Sequence, residues 1–117
     1  MQINIKTSGK NQAIVTQLTK KLTGGTKENV IARIALGYSL STGKRFTQQE
    51  FSAYDSQGKE YKDHILFDGQ YRDFYIALIC QAYGITKNDE LIPKYIKLHI
   101  DHGLETVSYT HLRAHET

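Results

Sequence analysis

Apolar residues recur at helical spacing in four stretches of the chain. Ile14, Leu18 and Leu22 are four residues apart, with Val15 beside them, and this spacing predicts one apolar helical face. Three later stretches show similar patterns, whose inward positions we expect to be Val30, Ile31, Ile34, Ala35 and Tyr38; Tyr71, Phe74, Tyr75, Leu78, Ile79 and Ala82; and Ile92, Ile96, Ile100 and Leu104. The pattern predicts a mainly α fold of about four helices.

Helix ends are marked by capping residues. Asn11 is a candidate N-cap for the first helix, which Gly24 and Gly25 should stop because glycine accepts a left-handed conformation. Thr26 is then the expected cap of the second helix. Pro93 should lie at the first position of the last helix, where its missing N–H costs nothing.

The N-terminal segment alternates apolar and polar residues from Ile3 to Ser8, which predicts a short strand. A strand followed by two helices also suits a ribbon-helix-helix DNA-binding protein, in which Asn4, Lys6 and Ser8 would read bases from a ribbon shared between subunits. The alternative is that the strand pairs inside the monomer, for instance with the irregular middle of the chain, residues 54–69.

Length and composition indicate one globular domain. The chain has 117 residues, of which 39% are hydrophobic and 23% charged. No apolar run reaches the roughly 18 residues that span a bilayer, and no signal pattern opens the chain. We therefore expect a cytoplasmic protein without a membrane partner.

The last eleven residues, "VSYTHLRAHET", resemble a translated sequencing adaptor. We therefore expect a native domain over residues 1–106 and a foreign tail over 107–117. His111 and His115 lie in this tail and are left out of functional reasoning for that reason.

Charge is unevenly distributed along the chain. Residues 1–49 contain eight basic side chains and one acidic side chain, a net charge of +7, whereas residues 50–106 contain six basic and ten acidic ones, a net charge of −4. Such asymmetry favours an anionic partner for the N-terminal half, and a solvated lysine surface is the ordinary alternative. The candidate DNA-binding residues are the N-terminal cations Lys6, Lys10, Lys20, Lys21, Lys27, Arg33, Lys44 and Arg45.

Candidate chemistry beyond charge is sparse. Cys80 lies on an apolar helix without a basic neighbour in sequence, which favours a core thiol over a sulfur carrier. His99 and His102 supply only two ligands, too few for a metal site by themselves. The chain has no phosphate-binding loop, no nucleophile elbow and no paired-cysteine zinc motif. We expect no enzyme activity, no metal and no cofactor.

Three segments carry a resemblance to a known family. The stretches "NVIARIALGYSL", "GKEY" leading through "LFDGQYRDFYIALICQ", and "IPKYIKLHIDHGLE" occur in an order that resembles the DndE family, the small proteins of bacterial DNA phosphorothioation systems. The resemblance spans nearly all of residues 1–106 and includes no catalytic signature.

The resemblance implies a helical, non-catalytic component that assembles into a tetramer and binds double-stranded DNA, with a preference for nicked duplex. It also implies partner proteins: a cysteine desulfurase, a nucleotide-activating sulfur-transfer enzyme and an ATPase. We expect self-association through the apolar faces of the first two helices, where Gly24, Gly25 and Gly37 would allow close approach. The alternatives are a ribbon-helix-helix repressor and a protein–protein adaptor that does not bind DNA.

Overall fold

The architecture is mainly helical, as the periodicity predicts. The computed structural model describes residues 2–24 and 27–111, except for the side chains of Thr23, Thr110 and His111. Over these ranges it contains two short strands, one 3₁₀ turn at Gln48–Glu50 and five α-helices. The strands are β1 (Ile5–Lys6) and β2 (Glu60–Tyr61), and the helices are α1 (Gly9–Thr23), α2 (Glu28–Ser41), α3 (Asp63–Leu66), α4 (Arg72–Tyr83) and α5 (Ile92–His111).

The closest helix crossing joins α2 to α5, the central helix of the core. A Cβ atom added at Gly103 would lie 1.9 Å from the carbonyl oxygen of Ala35, so the two backbones touch there without an intervening side chain. By contrast, a Cβ atom at Gly37 would only meet the Tyr75 ring at 4.0 Å. Close approach of helices within the monomer therefore depends on Gly103, whereas Gly37 leaves room for a side chain.

The N-terminal strand pairs inside the monomer. β1 runs antiparallel to β2, with Ile5 opposite Tyr61 and Lys6 opposite Glu60. Ser8 is fully buried and its N–H donates to Asp101 at 2.9 Å, so it cannot read a base. The strand therefore pairs with the middle of the chain and does not form a ribbon shared between subunits. The middle of the chain is also less irregular than expected, because it contains β2 and α3.

The first helix begins earlier than its expected cap. Ser8 is the N-cap and α1 starts at Gly9, so the prediction that Asn11 caps this helix is wrong. Asn11 is buried instead, and its side-chain amide donates to Oδ1 of Asp101 at 2.8 Å. Asp101 is also paired with Lys97, and both are buried. The hydrogen bonds that Ser8 and Asn11 donate to Asp101 tie the start of α1 to the middle of α5.

Helix ends elsewhere follow the glycine and proline signals. Gly24 has a φ of 78° and its N–H donates to Thr19, which confirms a left-handed C-cap. Pro93 lies in the first turn of α5, one residue after its start. Lys27 is the N-cap of α2, whereas Gly25 and the expected cap Thr26 lie outside the described residues.

Several apolar residues expected to face inward are exposed. The exposed set is Leu22, Ile34, Tyr38, Tyr71 and Phe74. In α2 the buried stripe is instead Ile31, Ala32, Ala35, Leu36 and Ser39. In this helix α5 covers the side of Ile31 and Leu36 and leaves the side of Ile34 and Tyr38 exposed.

The end of α5 crosses the expected domain boundary. The helix continues through residue 106 to His111, and Val107 is 7% exposed and packs in the core. His115 lies outside the described residues.

Candidate nucleic-acid interface

The joint between α1 and α2 presents three lysines. Lys20 and Lys21 lie in the last turn of α1, and Lys27 is the N-cap of α2. All three are exposed, and Lys6 on β1 is exposed as well. Within the described part of the chain, Lys6, Lys20 and Lys27 form no ion pair. Their ammonium groups are therefore available to an external anion.

The other four predicted contacts are engaged by neighbours within the chain. Lys10 pairs with Glu105 at 2.8 Å, and Lys44 pairs with Glu50 at 3.0 Å. The ion pair and hydrogen bond with Glu105 raise the pKa of Lys10 above its usual value.

The two arginines are held by carbonyls and aromatic rings. Arg33 donates to the Leu66 carbonyl at 2.7 Å and lies 4.7 Å from the Tyr71 ring centroid. Arg45 donates to the carbonyl of Lys44 at 2.8 Å. Each guanidinium has five N–H donors, so these contacts leave further donors for an external anion.

The eight candidate cations do not form one cluster. Lys27 precedes the 14-residue helix α2 and Lys44 and Arg45 follow it, so the two groups are roughly 20 Å apart at 1.5 Å rise per residue. Such a separation corresponds to several phosphates along a strand of duplex DNA. One subunit could therefore contact a polyanion at two points, and a compact anion at only one.

Exposed cations also occur in the half of the chain that is acidic overall. Lys62, Lys87 and Lys94 are exposed. Lys94 lines a concavity of about 300 Å³ together with Lys6 and the carboxylate Glu90. Counting charges along the sequence did not reveal that Lys6 and Lys94 are neighbours. The reason is that β1 and the start of α5 are far apart in the chain and adjacent in space.

The two candidate histidines belong to a buried hydrogen-bond network. Ser39 Oγ lies 2.7 Å from Nδ1 of both His99 and His102, so the hydroxyl donates to one ring and accepts from the other. The hydroxyl of Tyr83 lies 2.6 Å from His99 Nε2 and accepts the N–H of Phe46 at 2.9 Å. Both Nδ1 atoms are thus occupied by a hydroxyl.

Burial favours the neutral form of both histidines. Burial lowers the pKa of His99 to about 3, and the nearby cations Arg45 and Lys44 add to the effect. Burial also lowers the pKa of His102, again with help from Lys44. Among the described residues no group of three or more His, Cys, Asp or Glu side chains is placed to hold a metal ion.

Cys80 is partly buried rather than enclosed in the core. It packs against the core from α4 and lines a concavity of about 510 Å³ together with Arg72, Asp73 and Lys87. Arg72 and Lys87, which line the same concavity, come from positions seven or more residues away from Cys80 in the chain. The thiol is free.

The outer faces of α2 and α4 form an apolar surface, which we call the α2–α4 face. Its large exposed side chains are Ile34, Tyr38, Tyr71 and Phe74. Between the helices lies a groove of about 590 Å³ lined by Gly37, Leu40, Ser41, Arg45, Leu78, Gln81 and Ala82. Of the three glycines expected at a self-association surface, Gly37 therefore lies on an exposed apolar face and Gly24 caps α1.

Comparison with known proteins identifies the family. A family model described as DNA sulphur modification protein DndE matches residues 4–113, nearly the whole chain. The chain belongs to the DndE family. The resemblance noted from its three sequence segments is thereby confirmed. No match to this DndE-family chain was found among curated proteins.

The family description places the chain among DNA sulphur modification proteins. In the part of the chain that the structure describes, no helix is both long enough and apolar enough to cross a membrane.

Proposed function

We propose that this chain is a non-catalytic component of a bacterial DNA phosphorothioation system that binds double-stranded DNA in the cytoplasm. Membership in a family of DNA sulphur modification proteins supports DNA as the partner. The observation that carries the proposal is the set of exposed lysines without ion pairs in the described structure, Lys6, Lys20 and Lys27.

Affinity for DNA should come from phosphates rather than bases. Lysines at helix ends approach the backbone as point charges, and each neutralised phosphate releases condensed counterions. Arg33 and Arg45, held by carbonyls, would add oriented contacts. This arrangement supports binding of duplex DNA, nicked or intact, through its backbone.

Self-assembly belongs to the same proposal. One subunit presents three exposed lysines without ion pairs in its N-terminal half, so an oligomer, and a tetramer in the family's pattern, would multiply the phosphate contacts. The other sulphur-modification proteins are the further partners that we propose. The chemistry of sulfur transfer would then reside in those proteins.

The salt dependence of DNA affinity tests the lysine contacts. Log affinity should fall with log salt by about 0.9 per phosphate neutralised on duplex DNA. Replacing Lys20 and Lys27 by Ala should flatten that slope by about 2 per binding subunit, because each lysine accounts for roughly one phosphate. Fluorescence anisotropy with a labelled duplex at several salt concentrations measures the slope.

A matched control distinguishes the loss of particular phosphate contacts from a general effect of net charge on DNA affinity. Lys62 and Lys87 are also exposed lysines without ion pairs among the described residues, and their double replacement by Ala changes the net charge equally. The slope should then stay close to that of the wild type. Equal flattening by both double variants would show that the N-terminal lysines are not the contact surface. Absence of duplex binding would overturn the proposal and favour the adaptor.

A further inference from the structure

Between β1 and the start of α5 lies a concavity of about 300 Å³, which we call the β1–α5 concavity. Lys6 on β1 and Lys94 in the first turn of α5 line it, and both are exposed. Neither lysine forms an ion pair with another described residue. The volume lies at the lower end of the range for small-molecule sites. Two unpaired ammonium groups therefore border a space that suits a compact ligand.

A third lysine of the concavity is paired and holds one of its walls. Lys97 is 5% exposed, forms an ion pair with the buried Asp101 and donates to the carbonyl oxygen of Asp55 at 2.8 Å. The Asp55 carboxylate in turn accepts the N–H of Gly9 at 2.8 Å. These contacts fasten the segment that carries Ser56, another lining residue, to α5 and α1. This wall is therefore in place before a ligand binds, which lowers the entropic cost of binding.

Two neutral side chains add hydrogen-bond donors. Asn4 and Ser56 both line the concavity and are exposed. The side-chain oxygen of Asn4 accepts the N–H of Asp63 at 3.3 Å, which leaves the NH₂ group of Asn4 as a donor. The Ser56 hydroxyl can donate as well. Two cationic and two neutral donors therefore surround the same space.

We propose that the β1–α5 concavity binds a terminal phosphate group. A phosphate monoester carries a charge of about −1.5 to −2 at pH 7 and has three strong acceptor oxygens. That charge matches two unpaired ammonium groups, whereas a carboxylate would leave one of them without a partner. A phosphate within a DNA backbone carries a single negative charge and is the poorer match for the same reason. The terminal phosphate belongs to a small molecule or to the end of a DNA strand.

One acidic side chain of the concavity opposes the anion. The carboxylate of Glu90 lines the concavity and is exposed. Its charge should reduce the affinity, so we expect a Kd for inorganic phosphate on the order of 1 mM. The same carboxylate gives the proposal a variant that should bind phosphate more tightly than the wild type.

This inference goes beyond the proposed contacts to the DNA backbone and does not depend on them. The lysines at the joint between α1 and α2 lie at the other end of α1, and a helix of 15 residues spans roughly 22 Å. Lys20 at that joint is therefore a control: it is an exposed lysine outside the concavity.

NMR titration of the isotope-labelled protein with inorganic phosphate tests the site. The ionic strength is kept constant with chloride, so that general screening does not change during the titration. The backbone amide signals of Lys6, Ser56 and Lys94 should shift and approach saturation. Equal shifts at all exposed lysines, or no saturation at about tenfold the expected Kd, would overturn the proposal.

Three single variants assign the binding to the concavity. Lys94→Gln should weaken phosphate binding on the order of 10-fold, because a charge-assisted hydrogen bond is lost. Glu90→Gln should strengthen it by roughly threefold, because the opposing charge is removed. Lys20→Gln removes the same charge as Lys94→Gln and should keep the wild-type affinity. Equal weakening by the two lysine variants would overturn the site, as would unchanged affinity in both Lys94→Gln and Glu90→Gln.

Duplexes with phosphate or hydroxyl groups at their 5′ ends distinguish the two sources of the phosphate. If the site takes a strand end, the phosphorylated duplex should bind the wild type more tightly, and Lys94→Gln should remove the difference. If the site takes a small molecule, the two duplexes should bind equally while inorganic phosphate still binds. Phosphate binding without any duplex binding would overturn the proposed function alone. Duplex binding without phosphate binding would overturn this inference alone.

Discussion

At the scale of single residues, two glycines inside helices should respond in opposite ways to replacement by alanine. Gly103→Ala should destabilise the protein by at least about 2 kcal/mol, because the new Cβ atom would overlap the Ala35 carbonyl and force α2 and α5 apart. The free energy of unfolding from urea denaturation measures the effect. Alanine's better helix propensity, worth up to about 1 kcal/mol, cannot offset an overlap with backbone.

Gly37→Ala is the matched control in α2. A Cβ atom there would meet the Tyr75 ring at 4.0 Å, an ordinary contact, so the gain in helix propensity should stabilise the fold by up to about 1 kcal/mol. Both variants should be compared at the same protein concentration. A stabilised Gly103→Ala variant would show that the two helices are not in backbone contact.

At the scale of elements, the buried histidine network connects three helices and the segment that follows α2. It joins α2 through Ser39, α4 through Tyr83, α5 through His99 and His102, and the segment after α2 through Phe46. That segment includes the basic pair Lys44 and Arg45. The network therefore positions two candidate phosphate contacts, Lys44 and Arg45, beside the core.

Stability should fall as the solution becomes mildly acidic. The folded-state pKa values of His99 and His102 are depressed, whereas unfolded histidine titrates near 6.5, so below that pH the unfolded state binds more protons. Their stabilising effect is complete above about pH 6.5 and is lost as the pH falls, by up to about 1.4 kcal/mol per pH unit for each histidine. Urea denaturation between pH 7.5 and 5.5 measures the slope while most carboxylates stay ionised.

Variants assign the slope to the network. His99→Gln with His102→Gln should flatten the pH dependence, whereas His64→Gln, at an exposed position on α3, should keep the wild-type slope. A wild-type slope in the double variant would show that these histidines do not couple folding to pH.

At the scale of the whole molecule, the placement of β1 bears on sequence recognition. Because β1 pairs with β2 and Ser8 is buried, no free N-terminal ribbon is present among the described residues to read the major groove. Unrelated duplexes of equal length should therefore compete almost equally for the protein in an anisotropy assay. A thousandfold preference for one palindromic sequence would support the repressor instead, since specific binders gain at least about that factor.

The sequence by itself determined the features that depend on local spacing. Apolar periodicity located the major helices, and Gly24 and Pro93 marked where helices end or begin, because left-handed φ and a missing N–H are properties of single residues. The family resemblance was likewise present in three contiguous segments. Charge segregation along the chain indicated which half holds the candidate phosphate contacts, and that assignment stays a prediction.

Only the tertiary structure decided which face of each helix is covered. Ile34 on α2 and Phe74 on α4 satisfy the helical period as well as their buried neighbours do, but each helix turns another side to the core and leaves them exposed. The same applies to Asn11, Ser39 and Gly103, whose roles depend on partners 60 or more residues away. Periodicity reports that a face is apolar, whereas the partner that buries it is chosen by how the whole chain packs.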